Sequence, residues 1–254
     1  MYERLASYYD LTHDALVEDV ALILELAAQV EGPVLELGCG TGRLLRPLSR
    51  ANHQVTGVDN SLAMLTLAQH YLSQEPAAVQ QRVQLVEQDF TLLQLPGTTS
   101  YGLAIMPYNT FLHLDSRAKL AVLKRVRRYL GENGRFFIDL INPFTLASLA
   151  PENDFVLENE LIDPETESVI EQWSKTAVVD DEAQMVQIDW LYKELGEGGE
   201  ETAVSLEYYY AYPHELELML KQAGFQLQAL WGDYDQVPFS QENPRLLLLA
   251  ETIS

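Results

Sequence analysis

The chain of 254 residues has one cysteine, Cys39, so it forms no internal disulfide and fits a reducing compartment. No apolar run approaches the roughly 18–20 residues that span a bilayer. The opening Met1-Tyr2-Glu3-Arg4 lacks the charged-then-apolar layout of a secretory leader. A cytoplasmic protein with no membrane association is expected. Basic residues are scarce, with 16 Lys and Arg against 38 Asp and Glu for a net charge of -22. Such a surface repels phosphate backbones, which excludes RNA or DNA as the main substrate. Histidines 13, 53, 70, 113 and 214 are scattered, with no His-x-x-x-His pair, so no metal site is expected. There is no Gly-x-Ser-x-Gly elbow of an α/β-hydrolase, and no internal repeat.

What is present is an ample apolar fraction, 47%, arranged as alternating strand-like runs and helical patterns. That alternation is the signature of βαβ units on a parallel sheet. Leu16, Val20, Ile23, Ala27 and Val30 share a face of an early helix. Strands are expected at 33–37, 54–58, 83–86, 103–106 and 135–141, with Asn60 or Ser61 capping a helix after the second. A helix is expected over 116–130, ended by Gly131. Its six basic residues between Arg117 and Arg128 read as a solvated face.

After Asn142-Pro143 the period changes from helical to two. Val186, Ile188, Trp190 and Tyr192 alternate with polar neighbours, as do Val204, Leu206, Tyr208 and Tyr210, with Gly196 to Gly199 supplying a turn. This region is strongly acidic, with 17 Asp or Glu and two Lys between Pro151 and Tyr210. Pro213 opens a further helix that Gly224 ends, and strands at 225–231 and 245–250 close the chain. The expected organisation is one α/β domain formed by 1–141 and 212–254, with 1–32 as an N-terminal helical cap. An antiparallel β insertion at 142–211 interrupts it. In open α/β sheets ligands bind beyond the carboxyl ends of the strands, so an insertion there can cover a site.

The chemistry-bearing residues lie at strand ends. Glu36-Leu37-Gly38-Cys39-Gly40-Thr41-Gly42 joins a strand to a helix through residues lacking a Cβ, leaving room for a ligand against the backbone. The helix N-terminus behind it offers amides to an anionic group. A dinucleotide fingerprint, Gly-x-Gly-x-x-Gly, needs its third glycine where Arg43 stands. Asp59, ending the second strand, is placed to accept from two ribose hydroxyls. Asp89 can accept from an adenine amino group, with Phe90 and Met64 flanking the ring.

These motifs together resemble the class I S-adenosylmethionine-dependent methyltransferase family. Glu36-Leu-Gly-Cys-Gly-Thr-Gly42, Gly57-Val-Asp59-Asn-Ser61, Gln88-Asp89-Phe90 and the Leu130-Gly-Glu-Asn-Gly134 break carry the likeness over about 33–141, and it resumes over 213–250. The resemblance implies a Rossmann-like seven-stranded sheet, mostly parallel with an antiparallel last strand. It also implies S-adenosyl-L-methionine as cofactor, held by Tyr9, Glu36, Gly38, Gly40, Gly42, Asp59, Met64, Asp89, Phe90 and Pro107. Tyr8-Tyr9-Asp10 resembles a segment that closes over the cofactor in small-molecule members. Strand four lacks the family's usual starting Asp. The Gly turn lacks a Lys or Arg, leaving Arg43 or backbone groups to meet the methionine carboxylate.

The segment from Pro107 to His113 is expected to border the transferred methyl. Tyr108, Asn109, Tyr210 and Tyr212 are candidate acceptor contacts, and His113 is the candidate general base by titration range; a hydrogen-bonded structural role competes. Tyr208, Tyr209, Tyr210, Tyr212 and Trp190 line the acceptor pocket or make a homodimer contact. The concentrated acid points to an amine, hence N-methylation of a small molecule. In layout the chain is similar to small N-methyltransferases acting on amino sugars or amino acids. Two alternatives stand beside this reading: a nicotinamide-dependent oxidoreductase, and a catalytically silent cofactor-binding protein.

Overall fold

A computed structural model of the chain describes residues 2–13, 16–97, 100–163, 166–196 and 198–253. Helices α1 (Tyr2–His13) and α2 (Glu18–Ala28) precede strand β1 (Val34–Leu37). Next come α3 (Leu45–Arg50), β2 (Val55–Asp59), α4 (Leu62–Ser73), α5 (Ala77–Gln80), β3 (Val83–Glu87) and β4 (Tyr101–Met106). After these lie α6 (Ser116–Val126), β5 (Leu130–Ile141) and α7 (Pro143–Ala147). Four strands then run together, β6 (Val156–Ile162), β7 (Val169–Asp180), β8 (Met185–Leu195) and β9 (Glu201–Tyr209). The chain closes with α8 (Pro213–Gln222), β10 (Phe225–Trp231) and β11 (Arg245–Thr252).

The main sheet has seven strands in the order β10-β11-β5-β4-β1-β2-β3. Strands β3 to β5 on either side of β1 are mutually parallel, and β11 runs antiparallel to both β5 and β10. The period of two sorts its side chains onto two cores. Leu35, Leu37, Ala104, Met106 and Ile138 face α6 and α8. Val34, Leu103, Ile105, Phe137 and Leu247 face α2 and α3. Both faces of β1 are covered, which is why Val34–Leu37 is buried throughout. The strand order reverses at β1, with β4 on one side and β2 on the other. Doubly wound sheets open a crevice at such a point, and the glycine turn at 38–42 sits there.

Several expectations change. The early helix buries Asp19, Leu22, Ile23, Leu26 and Ala27, a face rotated from the one the spacing of 16, 20, 23, 27 and 30 suggests. The helix from Ser116 ends at Val126 rather than Leu130. Tyr101 donates to the Tyr129 carbonyl at 2.8 Å, and Leu130 pairs with Tyr101, so the chain joins the sheet before the glycines. The basic run is not simply a solvated face. Arg127 donates to the carbonyls of Gly224 (3.2 Å) and Ile253 (2.6 Å). Lys119 is buried, with Nζ donating to the carbonyls of Leu114 and, at 2.6 Å, Tyr209. Burial pulls the Lys119 pKa down to about 7.

The insertion is an antiparallel sheet of four strands, β6-β7-β8-β9, where the alternation had marked only the last two. Its Ile170, Tyr192, Val204 and Leu206 form a separate core with Tyr8 and Leu11 of α1. The Tyr8 ring stacks on Tyr192, centroids 4.8 Å apart. Helix α1 is thus held between the insertion and the main sheet. Asp10 fixes its other side, accepting from Thr41 Oγ1 at 2.6 Å and from the Tyr71 hydroxyl at 2.7 Å.

Candidate active site

The carboxyl end of the sheet opens into a cavity of about 430 Å³, lined by Tyr9, Gly38, Gly40, Asp59, Met64 and Phe90 and, from the loop after β4, by Tyr108, Thr110 and His113. Asp59 ends β2 and is fixed by two backbone donors. Its Oδ2 accepts from Gly40 N–H and its Oδ1 from Ser61 N–H, both at 2.9 Å. A carboxylate has about four acceptor sites, so these bonds orient the group without exhausting it. Ser61 caps α4, its Oγ accepting from Met64 N–H at 3.3 Å. The cap aims Met64 at the cavity while burying it.

The glycine turn supplies space rather than donors. Gly38 and Cys39 both donate to the Val58 carbonyl, Gly42 to the Cys39 carbonyl, and Gly40 to Asp59. These four amides form no anion cradle. A diphosphate would find none of them available, which weighs against a nicotinamide dinucleotide. At Gly40 (φ +52°) a Cβ would meet only Tyr9, at 3.8 Å. Arg43 is not poised for a carboxylate ligand either. Its Nη1 and Nη2 form a fork on Asp19, at 2.7 and 2.6 Å, and Nη1 also donates to the Leu16 carbonyl at 2.7 Å.

Glu36 supplies the test of fit. It is 2% exposed, and its Oε2 has no hydrogen-bond partner. It borders a small cavity with Tyr9, Gly38, Pro107 and Tyr108. Burial pushes its carboxyl well above the usual range, with Arg43 opposing. An orphaned buried acceptor on the strand beside that of Asp59 suits the ammonium of an amino-acid moiety whose nucleoside lies along Asp59. Of the residues expected to hold the cofactor, Tyr9, Gly38, Gly40, Asp59, Met64 and Phe90 line the large cavity. Glu36 and Pro107 line the small one. Gly42 shapes the turn at φ +82° against Ala68. Asp89 is the exception, since its Oδ1 caps the short helical turn at Phe90–Leu92 by accepting from Thr91 N–H at 2.7 Å.

A further pocket of about 70 Å³ shares Tyr9, Tyr108 and His113 with the large cavity and is closed by Gln172, Trp190, Tyr192 and Tyr208 of the insertion. His113 therefore stands at the junction. Its ring lies 5.2 Å from that of Tyr208, and it donates a ring N–H to the Glu207 main-chain carbonyl. Burial, aided by the positive Lys119, brings its pKa down to about 4, the carbonyl contact opposing. His113 is thus neutral at pH 7. His13, stacked on Tyr9 at 4.0 Å, lines the same pocket, and burial lowers its pKa as well.

The depressed pKa of His113 has a stability consequence. The unfolded histidine, near 6.5, binds a proton that the folded one refuses down to about pH 4. Folded stability attributable to this residue is thus present above pH 6.5 and lost as pH falls towards 4, with a ceiling of about 3 kcal/mol. His113→Asn should flatten the decline in melting temperature between pH 7 and 4.5. An unchanged decline would contradict the assignment.

The expected acceptor contacts divide. Tyr108 and Asn109 border the small pocket, but the Asn109 side chain is engaged with the sheet, its Oδ1 accepting from Ile141 N–H at 2.7 Å. Tyr210 belongs to the main core. Tyr212 packs on Phe144 and His214 at the start of α8. Neither lines these cavities; their place is taken by Tyr208 and Trp190, which line the small pocket. Tyr192 and Gln172 escaped the sequence reading, although Tyr192 shares the period-two face of Trp190.

Comparison with known proteins agrees with this geometry. Residues 34–134 match the family model for a methyltransferase domain. The chain is 26% identical to the Bacillus subtilis protein YqeM, whose name places it among methyltransferases, over 99% of this chain and 97% of that one. It is 30% identical over 145 residues to the cypemycin N-terminal methyltransferase of Streptomyces, covering 56% of each. The solved structure of the CcbJ methyltransferase from Streptomyces caelestis is 28% identical, with a TM-score of 0.75, over 93% of this chain and 89% of that one. The strand order, the Asp59 and Glu36 acceptors flanking a donor-poor glycine turn, and these likenesses converge: the chain carries a class I S-adenosylmethionine-dependent methyltransferase domain, with S-adenosylmethionine as its cofactor.

Proposed function

We propose that the protein transfers a methyl group to the nitrogen of a small molecule that presents a neutral amine at the His113 junction. The observation that carries this reading is the place of His113, a buried imidazole that lines both the large cavity and the aromatic pocket and is kept neutral by its burial. When bound, S-adenosylmethionine supplies an activated methyl on a sulfonium with a good leaving group. The protein's own contribution is therefore alignment and exclusion of water. Asp59 and Glu36 fix the cofactor's two ends, and Tyr9 and Tyr108 wall the junction. His113, uncharged where the two cavities meet, borders the acceptor nitrogen without protonating it, so that its lone pair stays available to the methyl. With a pKa of about 4, His113 does not store the proton released after transfer, which passes to solvent.

Glu207 of the insertion borders the large cavity, but the aromatic pocket is lined by no Asp, Glu, Lys or Arg, and Glu158, Glu160, Asp181 and Glu182 are exposed. The net charge therefore says less about the acceptor than the cavity does. Assignment to nitrogen also draws on the similarity to the cypemycin N-terminal methyltransferase. Labelled S-adenosylmethionine offered with amino sugars, amino acid amides and alkyl amines tests the reading. Transfer to at least one amine is expected, with a rate that rises with pH as the free amine accumulates. Binding of S-adenosylhomocysteine without transfer to any amine, or transfer only to hydroxyls, would reject it. His113→Gln is expected to slow transfer about tenfold while leaving S-adenosylhomocysteine affinity within about twofold.

A further inference from the structure

Tyr108 and Asn109, consecutive residues in the loop after β4, have φ of +42° and +70°. For a bulky side chain such as Tyr108 that is an outlier the surroundings must impose. Tyr108 also borders every cavity described above, and a further one of about 310 Å³ beyond it, towards Asp233, Tyr234 and Arg245. The restraints on this pair converge from the far side of the sheet. Tyr108 N–H donates to Asp139 Oδ2 at 3.0 Å, and Asn109 N–H to the Asp139 carbonyl at 2.9 Å. Asp139, fully buried on β5, takes Arg245 Nε on Oδ1 at 3.0 Å, with Arg245 Nη2 on the same oxygen, and the Tyr234 hydroxyl on Oδ2 at 3.0 Å. Arg245 Nη2 also donates to Asn109 Oδ1 at 3.3 Å. The guanidinium carbon lies 5.1 Å from the Tyr108 ring centroid.

We infer that Arg245 is a positioning residue of the methyl-transfer site. Through Asp139 and Asn109 it holds Tyr108 in its left-handed conformation, and so sets Tyr108, Thr110 and His113 against the cofactor cavity. Arg245 itself does not line that cavity. A planar fork is needed because one side chain must reach a carboxylate and an amide oxygen while its face covers a ring; an ammonium cannot do all three. The inference rests on the reading that the large cavity holds S-adenosylmethionine.

Two variants test it. Arg245→Lys keeps the charge beside Asp139 and loses the fork. Asp139→Asn with Arg245→Met removes both charges together, so no buried ion is left unpaired. Calorimetry with S-adenosylhomocysteine is paired with amide hydrogen exchange. Each variant is expected to bind about tenfold more weakly. The amides of Tyr108, Asn109 and Ile141 should exchange at least about tenfold faster, while those of β2 and α4 stay at wild-type rates. Wild-type affinity in both variants with unchanged loop exchange would overturn the inference, as would a uniform rise in exchange across the whole sheet. Failure of the wild type to bind S-adenosylhomocysteine would instead overturn the cofactor reading on which it rests.

Discussion

Asp59→Asn is expected to weaken S-adenosylhomocysteine binding by about a hundredfold or more. Each hydroxyl bond to a charged acceptor contributes about 1.5–3 kcal/mol, and a ribose brings two. The substitution does more than remove charge. Both carboxylate oxygens already accept from amides, Gly40 on one and Ser61 on the other. Whichever way the Asn side chain turns, its NH2 faces a backbone N–H, so either the Gly40 or the Ser61 contact becomes donor against donor. The cavity wall then shifts as well as losing its acceptor. Calorimetry measures the affinity, and a thermal melt separates lost binding from lost fold. Affinity within threefold of wild type in a variant that melts normally would show that Asp59 is a turn residue and nothing more.

Gly38→Ala should damage fold and site together. At φ +75° the backbone is left-handed, and an added Cβ would stand 2.5 Å from Thr110 Cγ2 and 2.9 Å from Thr110 Oγ1. Thr110 cannot swing away freely, since its hydroxyl donates to the Pro107 carbonyl at 2.8 Å. Backbone strain and overpacking together predict a loss of about 2–5 kcal/mol, or about 5–15 °C in melting temperature. S-adenosylhomocysteine binding should fall with it, because Gly38 and Thr110 line the same cavity. Adding Thr110→Ser removes the methyl of the clash while keeping the hydroxyl. The double variant should recover part of the stability, the φ cost remaining. A single variant that melts within 2 °C of wild type would contradict the contact.

Local signals made the main sheet legible. Val34–Leu37, Val55–Asp59 and Phe225–Trp231 are apolar runs bounded by glycine, proline or a cap, and the sheet buries most of them. Strand β6 escaped because it is an edge strand exposed along nearly its whole length, with no buried face to alternate. Strand β7 escaped because its buried positions include the polar Gln172 and Thr176, which give no apolar alternation. Asp59 was legible because its role follows from standing at a strand end after a glycine turn. Arg43 and Arg245 were not. Arg43 is engaged by an aspartate 24 residues earlier and Arg245 by one 106 residues earlier, and no spacing rule announces such partners. The charge of the insertion says little about the acceptor because most of it sits at exposed positions, whereas the small pocket is lined by the aromatic face of the same strands.

The link between His113 and the insertion runs through a main-chain carbonyl of β9, not through the Glu207 side chain, which is exposed. Any amino acid at 207 can offer that carbonyl. Neighbouring carbonyls along a strand point to opposite sides, however, so removing one residue from β9 would turn it away and bring an N–H in its place. Among relatives that share this contact, the bond to His113 should therefore constrain the spacing between β9 and its partner β8, not the identity of residue 207. The trace of the site in evolution would be a length, not a letter.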